Sequence, residues 1–244
     1  MNVVVSIAFW SFFALSCAVM FCVALVVFLV TWPFDRNGRV LHLFSCFWAR
    51  MYIGVNPFWS LRIEGREHLP WRGAAVLVSN HESLGDILAL FGLYRPFKWV
   101  SKASVFKVPF LGWNMTLNGY VPLVRGDSGS ISRMMDLCRA WLERGVPVLL
   151  FPEGTRTRDG QLLPFKLGAF RLAIEAGVPV LPVALRGTAD GLPVSSPWVR
   201  PANALARVLE PVPVAGLGPG DVESLRDLVR SRIDEARAAL VERR

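Results

Sequence analysis

Val76-Leu77-Val78-Ser79-Asn80-His81-Glu82-Ser83-Leu84-Gly85-Asp86 is the stretch on which the reading of this chain turns. Three apolar residues followed by Ser79 and Asn80 read as a short buried strand that stops where hydrogen-bonding side chains begin. A helix starts near Ser83. His81 therefore falls in the turn and Asp86 in the first helical turn. Within one continuous helix, two residues five apart would point about 140° from each other. A strand-turn-helix junction lifts that restriction. Asp86 can then hold one imidazole nitrogen while the other faces a substrate, which is the base-plus-orienter arrangement of hydroxyl activation. Alone, a His-x4-Asp spacing reads as a capping or core histidine, so the flanking chain decides.

Outward from this junction, short Val/Leu/Ala runs alternate with helix-like stretches, the texture of an α/β domain. Strands are expected at 61–63, 74–79, 98–100, 120–123, 146–151, 179–184 and 205–209, and helices at 83–94, 128–144 and 166–176. From Asp221 to Val241, Leu225, Leu228, Val229, Ile233, Ala236 and Leu240 follow helical spacing. That segment starts on an acid and ends on Arg243 and Arg244, as the helix dipole prefers. It reads as a packed surface helix.

The other end of the chain is different. Between Asn2 and Phe34 there is no charged side chain. An apolar run of about 30 residues exceeds the roughly 20 needed to cross a bilayer. A signal peptide is the rival, but no basic residue opens the run and no small-residue cleavage site closes it. Arg36, Arg39 and Arg50 follow it, which places the rest of the chain on the cytoplasmic side of a cell (inner) membrane. A second greasy segment, 40–61, carries His42, Arg50 and several aromatics and reads as an interfacial helix. The turn 33–38 would fold the two into a hairpin. A single tether is the competing reading, and both stand. The expected architecture is a central mixed sheet flanked by helices, with residues 1–60 as membrane-associated hairpin and 61–244 as catalytic domain.

Composition agrees with a lipid-facing protein. Of 244 residues, 53% are hydrophobic, and the net charge of +8 calls for an anionic partner. No zinc-finger spacing, RNA-binding signature or long Lys/Arg run points to nucleic acid. Cys17, Cys22, Cys46 and Cys138 match no metal or disulfide framework and read as small hydrophobes. Two decoys fall away. His81-Glu82 lacks the second histidine of a zinc helix, since position 85 is Gly. Gly126-Asp127-Ser128-Gly129 is followed by Ser130 where a nucleophile elbow needs Gly, so it reads as a loop and helix cap.

Two further stretches carry chemistry. Leu149-Leu150-Phe151-Pro152-Glu153-Gly154-Thr155-Arg156 follows an apolar strand, and its loop offers backbone N–H groups and an arginine fork to an anion. Gly119-Tyr120-Val121-Pro122-Leu123-Val124-Arg125 delivers Arg125 to a strand end, where open α/β sheets bind ligands, and Lys102 ends another short strand. Taken in order, Asn-His-x4-Asp (80–86), Gly-x5-Arg (119–125), Phe-Pro-Glu-Gly-Thr-Arg (151–156) and Val-Pro-Val-Leu-Pro-Val (178–183) resemble the glycerolipid acyltransferase family. Within it the chain looks most like the 1-acylglycerol-3-phosphate (lysophosphatidic acid) acyltransferases. The resemblance covers roughly residues 60–210.

The resemblance implies transfer of a fatty acyl group from acyl-CoA or acyl carrier protein to the sn-2 hydroxyl of 1-acylglycerol-3-phosphate, giving phosphatidic acid. It implies His81 as general base, Asp86 as its partner, Arg125, Arg156 and Lys102 as phosphate ligands, and Glu153, Gly154 and Thr155 as shapers of the acceptor site. Pro179 and Pro182 would line the acyl or membrane side. It implies no metal or cofactor, with membrane lipids and the thioester donor as partners. The chain departs from the pattern at Val124, where an acid usually precedes the arginine, and after Lys102, where Ala-Ser-Val-Phe replaces an acidic-leucine pair. Both departures bear on the acceptor. Other lysophospholipids, a lyso-ornithine lipid or glycerol-3-phosphate are the alternative acceptors, and a basic membrane-surface protein is the non-enzymatic one.

Overall fold

The structure, a computed structural model, describes residues 3–241; Arg243 and Arg244, expected at the C-terminal helix end, lie outside them. Seven strands form one sheet: β1 (Trp59–Glu64), β2 (Val76–Ser79), β3 (Lys98–Lys102), β4 (Val121–Leu123), β5 (Val148–Leu150), β6 (Val180–Arg186) and β7 (Ala202–Val208). Their order is β1-β7-β6-β2-β5-β3-β4. Neighbours are parallel except β6 and β7, which run antiparallel, so the sheet is mixed as expected. β2, β5 and β6 lie at its centre and are covered on both faces, which is why they read as unbroken apolar runs.

The helices are α1 (Val3–Thr31), α2 (Arg39–Gly54), α3 (Gly85–Phe91), α4 (Leu111–Leu117), α5 (Ser128–Glu143), α6 (Gly168–Ala176), the single turn α7 (Thr188–Gly191) and α8 (Val222–Val241). α5, α6 and α8 cover one face of the sheet, around Met134, Cys138, Phe170, Val229 and Ile233. The opposite face packs Leu90, Leu93, Phe97, Trp99 and Leu149. α8 is packed as expected, although Leu228 of its apolar stripe is exposed. α3 begins two residues later than expected, because Ser83 is used in the turn before it: its hydroxyl donates to the Leu192 carbonyl at 2.6 Å. α4 was not anticipated. Seven residues with Gly112 and Asn114 among them are too short to show a period.

The fourth sequence block, expected to line the acyl or membrane side, has Pro179 half-buried just before β6. Its later residues open central strand β6, where Pro182 is buried beside Val78 of β2. Pro182 accepts a hydrogen bond from the Leu209 N–H at 2.9 Å but has none to return, and the regular ladder with β7 ends there.

α1 and α2 form the hairpin. The Asp35 carboxylate accepts the Val40 N–H at 2.6 Å and Gly38 takes a left-handed conformation (φ 63°), which together turn the chain into α2. α2 buries Leu41, Ser45, Trp48, Ala49 and Tyr52 on one face, at helical spacing. His42, expected at an interface, is instead buried, with Nδ1 2.8 Å from the Tyr120 hydroxyl. α1 lies against the domain from Ser6 to Phe21, about two-thirds of the way along it. Ser6 Oγ accepts the Val199 N–H (3.0 Å), Trp10 Nε1 donates to the Pro197 carbonyl (2.8 Å), Phe9 packs edge-on to Trp59, and Phe21 packs on Trp113 of α4. Its other side shows Val4, Ile7, Leu15, Val19, Val26 and Leu29 to the surroundings. Among the described residues α1 is the one helix long and apolar enough to cross a membrane.

Candidate active site

Parallel strands carry their following loops to the same end of a sheet. β2, β5, β3 and β4 therefore present His81, the Glu153–Arg156 loop, Lys102 and Arg125 at one edge, together with the end of β6. His81 Nδ1 lies 2.6 Å from Asp86 Oδ2. Asp86 is wholly buried, and His81 is 9% exposed. The same Oδ2 accepts the backbone N–H groups of Glu82 (2.7 Å) and Ser83 (2.9 Å), while Oδ1 accepts the Thr188 hydroxyl. Surrounded by donors, the carboxylate acts as acceptor only, so Nδ1 carries the imidazole proton and Nε2 presents a lone pair. Nε2 has no partner among the described residues and is not occluded. Phe151 lies flat on the ring, with centroids 3.9 Å apart and planes 12° apart, and fixes its plane.

Glu153 is buried and joins two loops. Its Oε1 accepts the His81 N–H (2.6 Å) and its Oε2 the Leu163 N–H (2.9 Å), while the His81 carbonyl accepts the Thr157 N–H (3.0 Å). Burial raises the Glu153 carboxyl above its ordinary value, and the two backbone donors hold it down. Gly154 sits at φ 71°, and a side chain there would strike Lys166. Thr155 is exposed beside it.

Arg156 is half-buried, and Arg125 and Lys102 are exposed; none of the three side chains has a hydrogen bond or ion pair with a described residue. They are not equally near the dyad. Arg156 follows β5, the direct neighbour of β2, whereas Lys102 and Arg125 end strands two and three positions away. At about 4.8 Å per strand, that sets them roughly 10 and 14 Å to the side. No three His, Cys, Asp or Glu side chains among the described residues converge in a way that could hold a metal.

An acyltransferase family model matches residues 60–186, just over half of the chain and every site residue just described except Thr188. The chain belongs to the acyltransferase family. It is 37% identical to a chloroplastic 1-acyl-sn-glycerol-3-phosphate acyltransferase of Brassica napus, over 92% of this chain and 65% of that protein. It is 39% identical to the chloroplastic enzyme of Arabidopsis thaliana, over 83% of this chain and 56% of that one. It is 34% identical to the human 1-acyl-sn-glycerol-3-phosphate acyltransferase alpha, over 80% of this chain and 68% of that protein. The chain thus spans between about half and two-thirds of the length of the two plant relatives. The crystal structure of the 1-acyl-sn-glycerophosphate acyltransferase PlsC from Thermotoga maritima superposes with a TM-score of 0.84 at 25% identity, covering 98% of this chain and 95% of that one.

Three residues around the His81–Asp86 pair have contacts that sequence reasoning does not reach. Thr188 bonds Asp86 from 102 positions away; its signal was a hydroxyl residue five positions after the last block. Asn80 continues the β2–β6 ladder with its side chain, accepting the Leu185 N–H (2.8 Å) and donating to its carbonyl (3.0 Å). Arg237 of α8 makes a 2.7 Å ion pair with Glu82. Nothing in the local sequence marks it.

Proposed function

We propose that this chain transfers a fatty acyl group from acyl-CoA or acyl carrier protein to the sn-2 hydroxyl of 1-acylglycerol-3-phosphate, giving phosphatidic acid. The observation that carries the reading is the buried His81–Asp86 hydrogen bond of 2.6 Å, with Nε2 left open, at the ligand-binding end of an acyltransferase-family sheet. The names of the plant and human relatives and of the Thermotoga maritima structure support the acceptor. His81 Nε2 takes the proton of the acceptor hydroxyl as its oxygen adds to the thioester carbonyl. The tetrahedral adduct collapses, the C–S bond breaks, and the imidazolium returns its proton to the departing thiolate. Asp86 holds the tautomer and stabilises the imidazolium. Arg156, with Arg125 and Lys102 beyond it, holds the phosphate. The reaction needs no cofactor besides the thioester.

The acceptor arrives from the bilayer. α1 is bound to the domain from Ser6 to Phe21, about 22 Å of helix. Standing α1 across the membrane would drag the domain's polar surface into hydrocarbon. The hairpin therefore enters one leaflet of the membrane, the cytoplasmic one by the Arg36, Arg39 and Arg50 asymmetry, with the site at its surface.

Acyl-transfer assays in washed membranes, with lysophosphatidic acid and both donor types, test the reading beside a panel of other lysolipids. Wild-type protein should make phosphatidic acid. His81→Ala and Asp86→Asn should lose at least about 10³-fold in turnover while remaining folded. Near-normal turnover of His81→Ala would remove the base, and preference for another lysolipid would replace the acceptor.

A further inference from the structure

Glu82 is flanked by the dyad it does not belong to. Its backbone N–H is bound by Asp86, and its side chain points away into the protein, where only 6% of the residue is exposed. A carboxylate so placed is costly unless it is paired. Burial raises its pKa to about 7, against the pull of Arg237. Arg237 is 5% exposed and lies on α8, 155 residues away and outside the segment matched by the family model. One nitrogen of its guanidinium, Nη2, donates both to Glu82 Oε1 (2.7 Å) and to the Gly160 carbonyl (2.8 Å). Those two acceptors belong to different loops: the turn that carries His81, and the loop that begins with Glu153 and Arg156. Asn80 Nδ2 approaches the same Oε1 at 3.4 Å. About two turns earlier on α8, Arg230 binds the Leu162 carbonyl (3.0 Å) of the second loop alone.

We propose that Arg237 is a positioning residue for acyl transfer: it ties the His81 turn to the Glu153–Arg156 loop and so sets the base against the phosphate clamp. The proposal rests on the functional reading above. It gives α8 a part in catalysis without a contact to substrate. Because a buried guanidinium bridges two loops at once, a shift in either moves imidazole and phosphate ligand relative to each other, and misplacement of about 1 Å is enough to cost orders of magnitude in rate.

The test compares the full chain with Arg237→Met, Arg237→Lys, Glu82→Gln, the double variant Glu82→Gln/Arg237→Met, and Val229→Ala, which loosens the packing of α8 at a fully buried apolar position that makes neither of the two Arg237 hydrogen bonds. Arg237→Met should lower kcat by about 10- to 100-fold with acceptor KM within about twofold of wild type. Arg237→Lys should recover part of the loss. The double variant should fall no further than Arg237→Met, since both changes cut one link. Val229→Ala should lower Tm and leave kcat within about twofold. Deuterium uptake should rise at the amides of His81, Thr157 and Leu163 in Arg237→Met. Wild-type kcat in Arg237→Met, multiplicative losses in the double variant, or an equal kcat loss in Val229→Ala would each overturn the proposal. If Arg237→Met does not accumulate folded, Glu82→Gln carries the same comparison. An active His81→Ala sinks the functional reading, and deuterium uptake then still decides whether Arg237 ties the loops. An inactive His81→Ala beside a normal Arg237→Met sinks only the tie.

Discussion

Glu153 accepts the backbone N–H of His81 at 2.6 Å, so the acid of the Phe-Pro-Glu-Gly-Thr-Arg block holds the His81 turn in place. Its second oxygen is committed to Leu163 at 2.9 Å. Glu153→Gln keeps the shape but turns an NH2 group toward one of two N–H donors, and a stranded buried donor costs about 1–3 kcal/mol. Steady-state kinetics should show kcat down by about tenfold with acceptor KM unchanged. A rise confined to KM would favour the acceptor-site shaping role that the family resemblance implied for Glu153.

Strand order ranks the cations. Arg156 lies beside the dyad's strand, and Arg125 ends the edge strand β4. Arg156→Ala should raise the KM for lysophosphatidic acid by about 10- to 100-fold, as expected for a charged hydrogen bond worth about 1.5–3 kcal/mol, and Arg125→Ala by less. Equal effects would mean that the acceptor phosphate sits further along the sheet edge than Arg156. Unchanged KM in Arg156→Ala would remove the clamp.

Thr188 supplies one of the four donors to Asp86. Thr188→Val is close in volume but leaves Oδ1 of a wholly buried carboxylate without that donor. Thr188→Val should lower both Tm and kcat, and Thr188→Ser should restore most of kcat. A Val variant with wild-type kcat would show that three donors suffice to hold Asp86.

Lys98 tests the opposite end of the sheet. It is 2% exposed, donates to the Asn118 carbonyl at 2.5 Å and lies 4.3 Å over the ring of Trp141. Burial, aided by Arg144 and opposed by Asp35, lowers its pKa from 10.5 to about 7. Between those values the unfolded chain holds a proton that the folded protein has released, so raising the pH through this window adds stability. Thermal unfolding of Lys98→Met should lack that rise. The Tm advantage of the variant over wild type should be largest near pH 7 and shrink toward about pH 9.5. A pH-independent difference would mean that Lys98 stays charged in the fold.

Much of this molecule was legible in its residues because the informative signals are local. Short apolar runs ending in Ser79-Asn80 or Phe151-Pro152 announce strands that stop at a polar loop, and all seven expected strands lie on observed ones. The uncharged run before Asp35 announced α1, and Asp221–Val241 announced α8 by period. The His81–Asp86 contact was legible too, since a strand-turn-helix junction leaves few ways to bring residues five apart together.

Pairing across the chain was not. The side chain of Glu153 has one local partner and one 72 positions away, and only the parallel β2–β5 register brings the second within reach. The burial of His42 against Tyr120, the Thr188–Asp86 bond and the Arg237–Glu82 pair all span more than 75 residues, with no periodic or compositional trace. What the sequence determined by itself was which segments become strands and helices, and which side chains gather at strand ends, because hydrophobic period and turn chemistry act within a few residues. What only the tertiary structure decided was which residues hold His81 and Asp86 in place and how α1 lies against the domain. A buried polar atom takes whichever partner the packed chain brings to it, and that partner is set by strand order and helix docking, which a linear pattern does not encode.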